Sequence, residues 1–118
     1  MNEELKSIFG DAIAVGGVSV PTAHLRYRGA SRVFVTWHIT DESCELYADD
    51  EPLYSAVSVD VNVFSEGNYG GVVTEIKKLM KNNGWIWVED SGEMFEEDTQ
   101  LYHKTITFAK EGVIKWQE

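Results

Sequence analysis

Residues 57–64 read VSVDVNVF, so that every second residue over 57–63 is a valine. Side chains two positions apart on a β-strand share a face, and β-branched residues pack well on a pleated surface. The stretch therefore predicts a long strand with one continuous valine face. The same period of two recurs over 33–39 and 102–108, with Val33, Val35, Trp37 and Ile39 on one face of the earlier stretch. A sheet is the expected centre of the fold.

Two amphipathic helices are predicted on either side of these strands. Leu5, Ile8, Phe9, Ala12 and Ile13 follow a helical period over residues 2–14, and Gly16 and Gly17 are expected to end that helix. A second and stronger helical pattern begins at Tyr69, carries lysines in its C-terminal half and is expected to stop at Gly84.

The remaining segments supply shorter strands and connections. Residues 18–27 are predicted to be extended, with Pro21 keeping them out of a central strand position. Residues 41–43 are expected to form a turn, 44–48 a short return strand, 49–52 an acidic connection, and 85–89 a strand after the second helix. The order α-β-β-β-α-β-β predicts one α+β domain over residues 1–118. Its mainly antiparallel sheet of four to five strands has both helices packed on one face.

Composition and charge disfavour several functions. The 118 residues include 20 Asp and Glu against 10 Lys and Arg, a formal net charge of −10. An excess of acids disfavours specific nucleic-acid binding and anionic membranes, and no stretch is long and apolar enough for a spanning helix. The first residues lack the basic and apolar regions of a signal peptide, so a cytoplasmic location is expected.

No motif assigns a reaction, a cofactor or a metal. Cys44 is the single cysteine, and the three histidines are isolated in the sequence. The acids of 49–51 and 96–98 lack the spacing of a calcium loop and are expected to be solvated. A small enzyme that uses His103 with Glu96 or Asp98 stays a third possibility, supported by spacing alone.

The pattern favours protein contacts instead. Trp85 and Trp87 lie on the same face of a strand whose other face, with Ile86 and Val88, is also apolar, so a neighbouring subunit is one candidate cover. Charge is also segregated. No Lys or Arg lies between Arg32 and Lys77 or between Lys81 and Lys104, whereas Arg26, Arg28 and Arg32 cluster. A molecule with acidic and basic sides can associate head to tail and close into a ring.

Several runs of residues together resemble one protein family. The sequence VPTAHLRYRG at 20–29 is followed by Thr36 and Trp37, Ala-Asp-Asp at 48–50, the valine strand, a helix ended by Gly84, and FEEDTQLYHK at 95–104. In this order and spacing they resemble the tail-completion (tail-terminator) proteins of long-tailed phages and of prophages of Gram-positive bacteria. The resemblance covers residues 20–108.

The resemblance implies a structural virion protein with an α+β subunit and no enzymatic activity. Such subunits form a ring, thought to be hexameric, that caps the tail tube and joins it to the head connector, and they can be monomeric before assembly. It implies a location in the bacterial host cytoplasm and then in the virion tail. The predicted partners are other copies of the chain, the tail-tube protein and the head-connector protein.

Two functional hypotheses follow. In the first, Arg26, Arg28 and Arg32 of one subunit meet Asp49, Asp50 and Glu51 of its neighbour in the ring, with Trp85 and Trp87 as further interface candidates. In the second, the chain is an acidic DNA mimic that inhibits a nucleic-acid enzyme, because carboxylates can imitate a row of phosphates. Regularly spaced exposed acids on one face would favour the second.

Overall fold

The computed structural model describes residues 2–48 and 51–112, with side chains over 3–40 and 57–110. Its elements, in chain order, are α1 (Asn2–Phe9), β1 (Ala12–Val15), β2 (Val18–His24), β3 (Val33–Ala48), β4 (Glu51–Ser65), α2 (Gly70–Asn82), β5 (Ile86–Asp90), β6 (Met94–Glu96) and β7 (Leu101–Gly112). The predicted α+β class with two helices and a mostly antiparallel sheet is confirmed. The prediction of four to five strands is wrong, because the described residues form seven, in the order α-β-β-β-β-α-β-β-β.

The strands form one sheet in the order β1-β2-β3-β4-β7-β5, and β6 pairs with β7 beyond the end of β5. Strands β2 and β3 run parallel, and every other described pair is antiparallel. The last strand, β7, therefore lies inside the sheet, between β4 on one side and β5 and β6 on the other.

The predicted valine strand is the centre of the core. Val61 lies opposite Trp37 of β3 and Ile106 of β7, and all three side chains are buried. Both helices add side chains to the same hydrophobic cluster, so they cover the same face of the sheet. Their contributions are Leu5 and Phe9 from α1 and Val72, Ile76 and Met80 from α2. Burial of one valine side chain stabilises the fold by about 1.5 to 3 kcal/mol.

The first helix is shorter than residues 2–14. It ends at Phe9, and Gly10 adopts a φ of 61°, a conformation that glycine tolerates best. Residues 12–15 form β1 instead, and Ile13 reaches the core from a strand. The spacing of four residues between Phe9 and Ile13 is typical of a helix, but Ile13 is buried equally well from a strand.

The two glycines at 16 and 17 turn a hairpin rather than ending a helix. Gly16 and Gly17 have φ values of 57° and 83° and connect β1 to β2. Two consecutive positive φ values are those of a tight hairpin turn whose twist matches that of the strands.

Strand β2 lies between β1 and β3, so the prediction that Pro21 excludes an interior position is wrong. Pro21 is the last residue of β2 that pairs with β1, and Thr22 is the first that pairs with β3. A proline lacks a backbone N–H, and here it lies where the strand changes partner. The strand ends at His24, before the end of the predicted extended segment.

The predicted turn at 41–43 and the separate return strand at 44–48 are also wrong. Strand β3 continues to Ala48 through register shifts at Ile39/Asp41, Cys44/Leu46 and Leu46/Tyr47. A bulge places an extra residue on one strand, so that the pairing continues in a shifted register. Within the predicted connection, Asp49 and Asp50 lie outside the described residues, and Glu51 and Pro52 already belong to β4.

Beyond the body of the sheet, β3 and β4 form a two-stranded arm. Strand β2 pairs with β3 only over 35–37, and β7 pairs with β4 only from Ser55 onward. Over residues 41–48 and 51–54, which we call the arm, the described backbone pairs only within this hairpin. The molecule is elongated, with extents of 52 × 25 × 23 Å.

The second helix ends where the sequence predicts. Gly84 has a φ of 87°, and the amide of Trp85 donates to the carbonyl of Met80 at 2.9 Å. This left-handed residue directs the chain into β5 and the Trp85 side chain into the core. The strand predicted over 85–89 is present as Ile86–Asp90.

Candidate subunit interface

The sheet face opposite the helices carries polar and aromatic side chains, and no described helix packs on it. Across 34–40, 58–64 and 103–109 this face holds one carboxylate, Asp60, which accepts a hydrogen bond from Thr107 at 2.8 Å. Asp11, Glu66, Glu93, Glu97 and Asp98 lie in loops, whereas Asp41, Glu42 and Glu45 lie within β3. A regular row of carboxylates, the feature that would favour a DNA mimic, is not present on these strands, and the mimic hypothesis stays a prediction.

Four rings form a stacked row across this open face. Successive ring centroids of Tyr27, Phe34, Phe64 and His103 are 4.5, 4.8 and 4.2 Å apart, with interplanar angles of 26° or less. The row follows the strand register, since Phe64 lies opposite both Phe34 and His103. In single-strand-binding proteins, bases stack on the faces of aromatic side chains. Here the ring faces that stack on one another are not available for such contacts.

The first ring of the row anchors the segment that carries the arginines. We call residues 25–32, between β2 and β3, the basic loop. The phenol oxygen of Tyr27 accepts a hydrogen bond from the amide of Ser31 at 3.0 Å, while the ring stacks on Phe34. A side chain at Gly29 would collide with the Tyr27 ring. The absence of a side chain at Gly29 is therefore what lets the loop close over Tyr27.

The basic loop presents an apolar residue beside two cations. Leu25 is 61% exposed and has a φ of 69°, which is rare for a residue with a branched side chain. Arg26 and Arg28 are exposed, and neither makes an ion pair with a side chain that the structure describes. Strained residues persist where the surroundings impose them and are often found at functional positions.

Arg32 differs from the other two arginines. Its guanidinium donates to the carbonyl oxygen of Thr99 at 3.0 Å and lies 3.5 Å from a carboxylate oxygen of Glu66. Arg32 thus ties the basic loop to the segment before β7 within one chain. Of the predicted acidic partners, Asp49 and Asp50 lie outside the described residues, and Glu51 begins β4 opposite Ala48. Contacts between subunits at these positions stay predictions.

The two tryptophans have different environments. Trp85 is 3% exposed and lies in the core, with the Lys110 ammonium 5.5 Å from its ring centroid. Its indole N–H has no hydrogen-bond partner among the described atoms. Trp87 is 52% exposed at the end of the sheet. As an interface candidate, Trp87 is available at the surface, whereas Trp85 is already covered by its own chain.

Asp90 holds Trp87 and α2 together. Its carboxylate accepts hydrogen bonds from the Trp87 indole at 2.6 Å and from Lys77 at 3.1 Å, and Lys104 lies 3.6 Å away. Desolvation raises the pKa of Asp90, but the hydrogen bonds from Trp87 and Lys77 and the charges of Lys77 and Lys104 outweigh it, so the pKa is lowered overall. The charged form is the one that this arrangement stabilises.

Strands β5 and β6 form an apolar edge of the sheet. Of the seven large hydrophobic side chains that are exposed in the described part of the chain, five lie here: Ile86, Trp87, Val88, Met94 and Phe95. Strand β5 ends the strand order, so its outer backbone edge has no partner in the described chain. An exposed apolar edge is a feature that proteins usually cover or charge. Sequence reasoning missed β6, although the adjacent Met94 and Phe95 within an acidic segment were a signal.

His103 and Glu96, the pair considered for catalysis, do meet. The Nδ1 of His103 lies 3.5 Å from a Glu96 oxygen, and its Nε2 lies 3.4 Å from Asn62 Oδ1 and from Thr105 Oγ1. The hydroxyl of Thr105 donates to Asn62 at 2.7 Å, so its proton is directed to the amide and not to the imidazole. Burial lowers the pKa of His103, although the Glu96 charge opposes this. These contacts suit a structural polar network better than an activated nucleophile.

An open cleft of about 540 Å³ lies beside the start of α2. Its lining includes Glu66, Tyr69, Glu93 and Tyr102. The Tyr69 hydroxyl donates to Glu93 at 2.5 Å, and this bond, burial and the Glu93 charge raise the pKa of Tyr69 to about 12. A phenol with that pKa is a poor proton donor or acceptor near neutral pH.

Neither a metal cluster nor a membrane helix is found in the described part of the chain. No group of three or more His, Cys, Asp or Glu side chains there is arranged to hold a metal ion. The helices over residues 2–9 and 70–82 are too short to cross a bilayer.

These observations define the class of the protein as far as the fold allows: an α+β chain with an open sheet face, an anchored basic loop and an apolar sheet edge. Comparison with protein-family models and with curated proteins finds no match to the chain. The surfaces of the molecule, together with the sequence resemblance, are therefore the basis for a functional proposal.

Proposed function

We propose that the chain is a structural assembly protein of a phage or prophage tail. Copies of it form a ring that caps the tail tube and joins it to the head connector. The resemblance of residues 20–108 to tail-completion proteins supports this proposal. Two surfaces suited to contacts between protein subunits support it as well.

The observation that carries the proposal is the anchored basic loop. Tyr27 and Gly29 hold the loop on the sheet, and Leu25, Arg26 and Arg28 point an apolar and cationic surface outward. An acidic segment follows in the same chain, since residues 41–51 contain six Asp and Glu and no Lys or Arg. Contacts between a basic surface and an acidic surface at different places on one subunit can be heterologous, and heterologous contacts generate rings when the rotation closes.

The apolar edge is a second observation that supports the same proposal. Side chains of Ile86, Trp87 and Val88 are about half exposed or more on a strand whose outer edge has no partner within the described residues. Burial of such side chains in a contact contributes about 25 cal/mol per Å² of apolar surface. The chain thus has both a charged and an apolar means of associating.

The test is deletion of the gene from the phage or prophage that encodes it, followed by electron microscopy of the particles. We expect filled heads and unjoined tails, with joining restored by the wild-type gene supplied in trans. The Arg26→Glu/Arg28→Glu variant should fail to restore joining while its purified subunit remains folded. Arg32 is left unchanged because it also holds its own chain together.

A matched control reverses two exposed cations elsewhere. Lys6→Glu/Lys78→Glu changes the charge by the same amount on α1 and α2, and we expect it to restore joining. Normal joined particles after the deletion would contradict the proposed function. Full rescue by the arginine variant would contradict the role of the basic loop.

A further inference from the structure

A groove of about 320 Å³ separates α2 from β5 at the apolar edge. Its floor is apolar and two lysines lie at its rim, the lining being Lys77, Lys81, Trp85, Ile86, Trp87 and Phe108. Lys77 is paired with Asp90, whereas Lys81 is exposed and makes no ion pair with a described side chain. The groove and the outer edge of β5 thus offer apolar surface, positive charge and unpaired backbone groups together.

The arm of β3 and β4 has complementary properties. Its β3 strand contains Asp41, Glu42 and Glu45, and residues 41–54 contain no Lys or Arg. Past residue 37, where the pairing with β2 stops, the outer edge of β3 has no second strand in the described chain. The arm therefore offers negative charge and a free backbone edge, with Leu46 and Tyr47 as apolar residues in the same strand.

We propose that the arm of a second copy of this chain docks in the groove, with its β3 strand along the free edge of β5. A strand that adds to a sheet edge gains main-chain hydrogen bonds, and side-chain pockets give the pairing its specificity. Opposite charges on the arm and the groove favour contact between these two surfaces over contact between two arms or two grooves. This docking rests on the proposed function, which makes a second copy of the chain the partner.

The contact must join different copies. Within one sheet, β3 and β5 are separated by β4 and β7, so a chain cannot lay its own arm along its own β5 without losing those pairings. Arm and groove are also different surfaces of the subunit, so the contact can be heterologous and continue from copy to copy. The docking does not use the acidic residues at 49–51, which are predicted to contact the basic loop of a neighbouring subunit.

Disulfide trapping between two different chains tests the docking. One chain keeps Cys44, the single native cysteine, which lies in the arm. The other is Cys44→Ser/Ile86→Cys, which places a thiol at the groove on a side chain that is 65% exposed. The two chains are mixed at high concentration under a mild oxidant, and mixed dimers are identified by mass spectrometry. Because trapping is covalent, brief encounters accumulate.

A second arm position and a second edge make the test decisive. Cys44→Ser/Glu45→Cys replaces the native thiol by one on the neighbouring residue, so that trapping is measured at two positions along β3. The control partner is Cys44→Ser/Ala14→Cys, with an exposed thiol on β1 at the other end of the sheet.

We expect mixed dimers of at least one arm thiol with position 86 and few with position 14. Equal trapping at both positions, or none at position 86, would overturn the proposal. If gene deletion abolishes tail joining but no mixed dimers form at position 86, only the docking is refuted. If mixed dimers form but the deletion leaves the particles unaffected, the proposed function is refuted and the docking stands.

Discussion

Gly29 and Tyr27 depend on each other: the phenol of Tyr27 occupies the space where a side chain at position 29 would be. The same phenol accepts the Ser31 amide and the ring stacks on Phe34. The position of both exposed arginines is thus set by one glycine and one aromatic ring, which makes the basic loop testable by small changes.

Gly29→Ala should displace the Tyr27 ring and loosen the basic loop without unfolding the sheet. Loss of one aromatic stack costs about 0.5 to 1.5 kcal/mol, which is small for a domain of this size. We expect the ring-current shifts of Tyr27 and Phe34 in NMR spectra to change and tail joining to weaken. The control is Gly67→Ala, at a glycine where an added Cβ meets nothing within 4 Å. Unchanged Tyr27 resonances in Gly29→Ala would contradict the anchoring role.

Leu25→Gly should stabilise the isolated subunit. The φ of 69° is unfavourable for leucine, and relief of such strain is worth about 1 kcal/mol, a gain that should appear as a higher urea midpoint. Because the exposed leucine is lost from the basic loop, joining should become weaker at the same time. Val18→Gly is the matched control, since Val18 is similarly exposed in a regular strand, and there glycine should destabilise. A lower urea midpoint for Leu25→Gly would mean that the strain is not present.

Asp90→Ala should destabilise the subunit by about 1 to 3 kcal/mol, since Trp87 and Lys77 lose a charged hydrogen-bond acceptor. Asp90→Asn keeps an oxygen acceptor without the charge and should lose less. The folded pKa of Asp90 is lowered, so its stabilisation is present above the ordinary carboxyl pKa of about 4 and is lost as the pH falls through the folded value. Urea unfolding of wild type and Asp90→Asn from pH 7 to 3 measures this, and parallel pH profiles would contradict it.

His103 should make the subunit less stable in mild acid. Its pKa is lowered by burial, so below about pH 6.5 the unfolded chain binds the proton more readily than the folded one. The free energy of unfolding should therefore fall as the pH drops from 7 toward 5, and His103→Gln should flatten this part of the profile.

The Glu96 charge provides the control for His103. Because Glu96 opposes the effect of burial, Glu96→Gln should lower the pKa of His103 further. NMR titration of the imidazole resonances gives both midpoints directly. A titration midpoint above pH 6.5 for His103 in the wild type would contradict the lowered pKa.

Much of the fold could be predicted because its signals are local and repeated. The valines of 57–63 and the helical stripe from Tyr69 to Met80 are periodic over several residues, and Gly84 has a position that only a left-handed residue suits. Residues 12–15 were misassigned because a spacing of four buries Ile13 equally well from a helix or from a strand.

The errors elsewhere arise from pairing over long sequence distances. Asp41 and Glu42 are turn-forming in isolation, but the ladder with β4 carries β3 through them by means of a bulge. Strand β6 has three residues and exists because β7 supplies an edge for it. Likewise, the collision between Gly29 and Tyr27 and the exposed position of Trp87 depend on neighbours that periodicity does not reveal.

The position of β7 determines when the fold can be completed. It is the last described strand to be synthesised, yet β4 pairs along one of its edges and β5 and β6 along the other. Until the ribosome has released it, one edge of the valine strand and the tryptophans around β5 lack their native partner. Such late, long-range pairing slows folding and exposes apolar edges to other chains. The unpaired apolar edge of the nascent subunit is therefore expected to be largest just before residues Leu101–Gly112 emerge, and aggregation is expected to be fastest in that interval.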